Sequence, residues 1–192
     1  MWSSHATNYG SRPVFCRRAG HHSSMRYFTR GVVSGEFDDS EVADIRRSYA
    51  AHLRVLSPRL PASVRLLTEL SLQDGIVEEV VWEPAVKCLR MSLVMTNSFG
   101  YRAATLVYSG ALLGTRRIQT LRDVARDRET QILASEIDCD NQGIFSHSLL
   151  FWPRDELTID FTDLALDEMA ERQDDRISLR PYFRELLPED SD

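Results

Sequence analysis

Between residues 76 and 163, apolar and polar side chains alternate in short runs broken by turn residues. In Cys88–Thr96, Leu89, Met91, Leu93 and Met95 share one side; in Leu157–Thr162, Leu157, Ile159 and Phe161 stand against Thr158, Asp160 and Thr162. Side chains alternate across a strand, so such runs predict strands with one buried and one wet face. About six strands are predicted, at 76–83, 88–96, 101–109, 131–139, 144–152 and 157–163. Turn residues at Glu83-Pro84-Ala85, Asn97-Ser98-Phe99-Gly100, Asp140-Asn141-Gln142-Gly143 and Pro153-Arg154-Asp155 separate them. Connections this short favour antiparallel neighbours.

Upstream the period changes from two to between three and four. Val42, Ile45, Tyr49, Leu53 and Leu56 make one apolar stripe of a helix, with Asp38, Asp39 and Ser40 as N-cap candidates and Glu41 in its first turn. Pro58 and Pro61 end that helix. Pro61 suits the first position of a shorter one over 62–70, whose apolar face is Val64, Leu67 and Leu70. The expected architecture is therefore α+β, an N-terminal helical hairpin packed on an antiparallel sheet of about six strands. Residues 26–34 form a first strand or an extended arm. Residues 115–130 predict a surface helix capped by Thr115, and 165–173 a further short helix.

At 192 residues the chain is long enough for one domain with its own core. Residues 25–187 are expected to form it, with 188–192 a disordered tail. Residues 1–24, with Arg12, Arg17 and Arg18 but no acid, read as a disordered leader or an upstream mis-start before Met25. Removing those three charges from the net −6 leaves 25–192 at −6 − 3 = −9. That balance excludes the basic footprint of a nucleic-acid binder and suits a basic protein partner. No apolar run approaches the roughly 20 residues that span a bilayer, so no membrane partner is expected. Cys16, Cys88 and Cys139 are odd in number and form no CxxC, which points to free thiols in a cytoplasmic setting.

The opening Met25-Arg26-Tyr27-Phe28-Thr29-Arg30, the segment Leu72-Gln73-Asp74-Gly75-Ile76-Val77, and Glu136-Ile137 with Phe145-Ser146-His147-Ser148-Leu149-Leu150-Phe151 together resemble an uncharacterised bacterial domain family. Its members open Met-(Lys/Arg)-Tyr-Phe-Thr-(Lys/Arg). The resemblance spans roughly 25–163, and the family is similar to immunity-protein-like domains of bacterial toxin systems. It implies a binding role and no transferable catalytic residue. Where the similar sequences carry a histidine near position 73, this chain has Gln73.

His147 is the foremost candidate for chemistry. It alternates with Phe145, Leu149 and Phe151, and an acid–base role requires a carboxylate to orient its ring, with Glu136 or Asp138 across the 140–143 turn. A core histidine explains the same pattern. Asp138, Asp140, Asp160 and Asp163 form a loose carboxylate group, but turn formation accounts for them and the spacing lacks a Ca²⁺ loop's downstream Glu. Ser146 and Ser148 lack a glycine-flanked elbow, and Gly110–Gly114 lacks a phosphate loop's lysine. Trp82, Trp152 and Tyr101 suggest an aromatic patch, and the mixed charges of 116–129 a solvated helix face. No metal or other cofactor is expected. The reading is a protein-binding module, with a toxin-neutralising role as its concrete form. The alternative is a small hydrolase or transferase built on His147 with Glu136 or Asp138, and edge-to-edge homo-oligomers remain open.

Overall fold

The computed structural model describes residues 25–169 apart from 98, 99 and 155. Expectations for 1–24, for 170–173 and for the 188–192 tail lie outside the described residues. Where a first strand or an extended arm was expected over 26–34, the structure has a bent strap, Met25–Thr29, and a single helical turn, α1 (Arg30–Val33). Helix α2 (Asp39–Leu56) starts at a complete capping box. The Asp38 carboxylate accepts the Ser40 and Glu41 backbone N–H groups at 2.8 and 2.9 Å, and the Glu41 carboxylate accepts the Asp38 N–H at 3.0 Å. Pro58 sits in a 3₁₀ turn, Ser57–Arg59, and Pro61 directly precedes α3 (Ala62–Glu69) instead of opening it.

The strands are β1 (Ile76–Glu83), β2 (Cys88–Asn97), β3 (Gly100–Ser109), β4 (Gln131–Cys139), β5 (Phe145–Trp152), β6 (Glu156–Phe161) and β7 (Asp163–Met169). Helix α4 (Thr115–Arg126) separates β3 from β4; its N-cap residue is Gly114 and Thr115 is already helical, so no side chain caps it. All pairings are antiparallel, in the order β6-β5-β4-β1-β2-β3-β7.

Seven strands replace the six expected, and the seventh lies where a short helix was predicted. Leu164 and Leu166 share one side of β7, and pairing from Ala103↔Met169 to Ser109↔Asp163 satisfies the open edge of β3. That long-range pairing outweighs the local helical pattern.

Only Thr162 separates β6 from β7, although these are the two ends of the sheet order. One bent segment therefore pairs with β5 by its first half and with β3 by its second, and the sheet closes on itself. The hydrophobic phase records the corner: Leu157, Ile159 and Phe161 are buried at odd positions, then Leu164 at an even one. Beyond β3 the chain turns at Gly110, whose φ is +63°, and Leu112 bridges to Asp160 beside the corner. Thr162 donates its backbone N–H to the Ser109 carbonyl at 3.0 Å.

The opposite side of the sheet is a seam. β1 and β4 pair at Ile76↔Gln131 alone, reinforced by the Ile132 N–H to the Gly75 carbonyl at 2.8 Å. Bulges at Glu78 in β1 and Leu133 in β4 change the phase of both strands. Val77, Val80 and Trp82 thereby all share a face with Leu93, Met91 and Leu89, their cross-strand partners. The enclosed core joins Leu89, Met91, Leu93, Leu106, Tyr108, Leu149, Phe151 and Phe161 to Val64 and Leu67 of α3 and Ile118, Leu121 and Val124 of α4. Complete burial of such a side chain contributes about 1.5–3 kcal/mol over leaving it exposed. The two helices expected to act as a hairpin reach different strands, α2 packing on β4 and α3 on β7. Among the described residues no helix is long and apolar enough to cross a membrane.

Candidate functional site

Cross-strand registration decides which candidate residues meet. Glu136 faces Ser148, Ile137 faces His147, and Asp138 faces Ser146. β6 continues these rungs with Thr158, Ile159 and Asp160. Directly paired residues share a face, so His147 lies with Ile137 and Ile159 inside the closed sheet, while Glu136 and Asp138 lie outside. The sheet separates His147 from both carboxylates proposed to orient it. A spacing of one residue on β4 from Ile137 to either acid is enough to do so.

Inside, His147 is fully buried, and its Nδ1 stands 2.8 Å from the Tyr108 hydroxyl. Its Nε2 has no hydrogen-bond partner among the described residues. Burial holds the imidazole neutral by lowering its pKa to about 3 and pushes the Tyr108 phenol well above its ordinary value. With Phe145 and Phe161 close by, this is a neutral polar pair in an aromatic core.

Outside, Glu136 is 6% exposed and acts as a clamp. Its Oε1 accepts the backbone N–H groups of Tyr27 and Phe28 at 2.6 and 2.5 Å, and its Oε2 accepts that of Arg26 at 2.8 Å. The bend at 26–28 turns three successive N–H groups to one side, and one carboxylate satisfies all three. Tyr27 then packs its ring 5.1 Å from Tyr49 and 5.5 Å from His52, both on α2. The Tyr49 hydroxyl accepts the Ile137 N–H at 2.9 Å, on the side of β4 that β1 leaves open; burial pushes its pKa up to about 12.

Strap, α2 and strands β4–β6 enclose a polar cleft of about 290 Å³. His52 reaches Asp138 across it, Nε2 to Oδ1 at 3.3 Å, with the imidazole 18% and the carboxylate 56% exposed. The Ser146 hydroxyl donates to Asp160 at 2.7 Å, and Arg117 holds the other Asp160 oxygen at 3.4 Å. The Ser148 and Thr158 hydroxyls meet at 2.8 Å. Arg59 donates to the Asp140 carbonyl at the rim. Burial raises the Cys139 thiol's pKa against the pull of that guanidinium, which keeps it protonated. Asp140 is occupied as a turn residue, its Oδ1 accepting the Gln142 and Ile144 N–H groups at 2.8 and 2.9 Å.

His52 is the residue that sequence reasoning missed. It lies three residues after Tyr49 and four before Leu56 on the apolar stripe of α2, and a titratable side chain on that stripe was the available signal. Of the four aspartates read as a loose group, Asp138 and Asp160 flank Ser146, whereas Asp163 accepts the Leu164 N–H at 2.8 Å beyond the corner. Among the described residues, no three His, Cys, Asp or Glu side chains gather as metal ligands. Trp82 packs against the core and Trp152 is exposed at the end of β5; the Tyr101 side chain lies outside the described residues. No family model, no curated protein and no solved structure matches this chain.

Proposed function

We propose that the protein is a cytoplasmic binding module that takes a basic side chain of a protein partner into the cleft between the strap and β4–β6. One observation carries this reading: the Asp138 carboxylate is more than half exposed at the mouth of a cleft floored by cross-strand hydroxyls. A half-exposed carboxylate beside a fixed hydroxyl row has acceptors for a guanidinium or ammonium and little desolvation to offset. The net charge of −6 supports steering of a basic partner towards it. Neutralising a toxin by covering a basic active site is the concrete form of this role.

The test is capture from host lysate by the full chain at low and at high salt, with Asp138→Asn alongside the wild type. One basic protein retained at low salt, released at high salt and lost with Asp138→Asn is the expected result. Equal retention by both chains would place the partner elsewhere.

A second reading, a hydrolase or transferase, is favoured by the His52–Asp138 pair, an orientation that acid–base catalysis uses. Turnover of ester or phosphoester substrates abolished by His52→Gln would favour this reading over the first.

A further inference from the structure

On another face, the seam leaves a groove between β1 and α4. Among the described residues, β1 past Ile76↔Gln131 has no strand partner on the side away from β2, and α4 packs beside it. A hollow of about 250 Å³ lies between the two, lined by Glu78, Glu79 and Val80 from the strand and Arg122, Ala125 and Arg126 from the helix. A second hollow of about 80 Å³ shares Glu78 and Ala125 and continues to Ile76, Val94 and Arg128. The strand wall is acidic and the helix wall basic.

Among the described residues no ion pair crosses the groove; Arg126 turns to Asp123 on its own helix at 3.6 Å, and Glu78, Glu79, Arg122 and Arg128 enter none. Opposite charges held apart by an apolar strip complement a ligand that carries both signs. A ligand of one sign would meet repulsion from one wall.

We propose that this groove docks an extended segment of a partner protein in which apolar residues alternate with residues of both charges. Its basic side chains turn to Glu78 and Glu79, its acidic ones to Arg122 and Arg128, and its apolar ones to Val80 and Ala125. Main-chain hydrogen bonds to Glu79 and Val80 add affinity that does not depend on sequence. The bulge at Glu78 interrupts the regular spacing of the edge and limits pairing to that stretch, which discourages indiscriminate strand addition.

The probe is a seven-residue peptide with valine at alternate positions and lysine and glutamate taking turns between them. Its uniform counterparts carry only lysine or only glutamate. Binding to the full chain is followed by methyl NMR. The mixed peptide is expected to shift the Ile76, Val80 and Ala125 methyls and to bind at least tenfold more tightly than either uniform one. The double variant Glu78→Lys/Glu79→Lys, at exposed positions and with unchanged Tm, is expected to reverse that order in favour of the all-glutamate peptide. No binding at millimolar peptide, shifts confined to the His52 cleft, or an order of preference unmoved by the double variant would each overturn the proposal.

Discussion

At the scale of the residue, the two groups most suggestive in the sequence are occupied by the fold. His147 is a sealed neutral imidazole, with a consequence for stability against pH. An unfolded histidine titrates near 6.5, whereas His147 in the native chain stays unprotonated down to about 3. Between those values the unfolded chain binds the extra proton, so stability falls as pH falls, by up to about 1.4 kcal/mol per pH unit. Denaturant titrations between pH 6 and 4.5 should show that His147→Leu lacks this component; identical slopes would contradict it. Tyr108→Phe strips the one partner from Nδ1 and should cost about 1–3 kcal/mol. Adding His147→Leu to it should cost less than the sum of the two single changes, which a double-mutant cycle measures. For Glu136, replacement by alanine orphans three strap donors. Amide exchange at Arg26–Phe28 should then accelerate at least tenfold while the sheet amides hold; unchanged protection would deny Glu136 its clamping role.

At the scale of the element, the corner between β6 and β7 depends on one close approach. A methyl at Gly110 would meet the Thr162 side chain, and the φ of +63° is itself unfavourable for alanine. Gly110→Ala should destabilise by roughly 2–4 kcal/mol, and Thr162→Ala in the same chain should recover the steric part, as read from thermal unfolding. The strand positions, the capped α2 and the alternation of β5 and β6 were legible because each is a local pattern of period 2 or 3.6. β7 was not, because its two leucines make too short a run to separate strand from helix, and only the open edge of β3 decides between them. Closure was written in the phase change at Thr162, but a phase change also marks a bulge, as at Glu78, and the two differ only once partners are known.

At the scale of the whole molecule, a closed sheet with a seam divides the surface into unlike parts. The outer face of β4–β6 carries the strap and the polar cleft, with α2 against β4, and β1 carries the charged groove beside α4. How much of the cleft the sequence revealed follows from the same geometry. Asp138 and Glu136 were identified, and a two-residue alternation placed them on one face, but His147 is one register step off that face. His52 reaches Asp138 from a helix 86 positions upstream, a distance at which pattern carries no information. Since β4 binds α2 through Tyr49 as well as through the cleft, Tyr49→Phe should leave the Ile137 N–H unpaired and cost about 1 kcal/mol without altering partner binding. Loss of binding in that variant would instead mean that α2 itself is the contact surface.

The most direct measurement is the affinity of the partner captured at low salt, by titration calorimetry, for the wild-type chain, Asp138→Asn and His147→Leu. The outward cleft predicts at least a tenfold loss for Asp138→Asn and wild-type affinity for a folded His147→Leu. Wild-type affinity for Asp138→Asn, with loss in a folded His147→Leu, would contradict it and return function to the interior of the sheet.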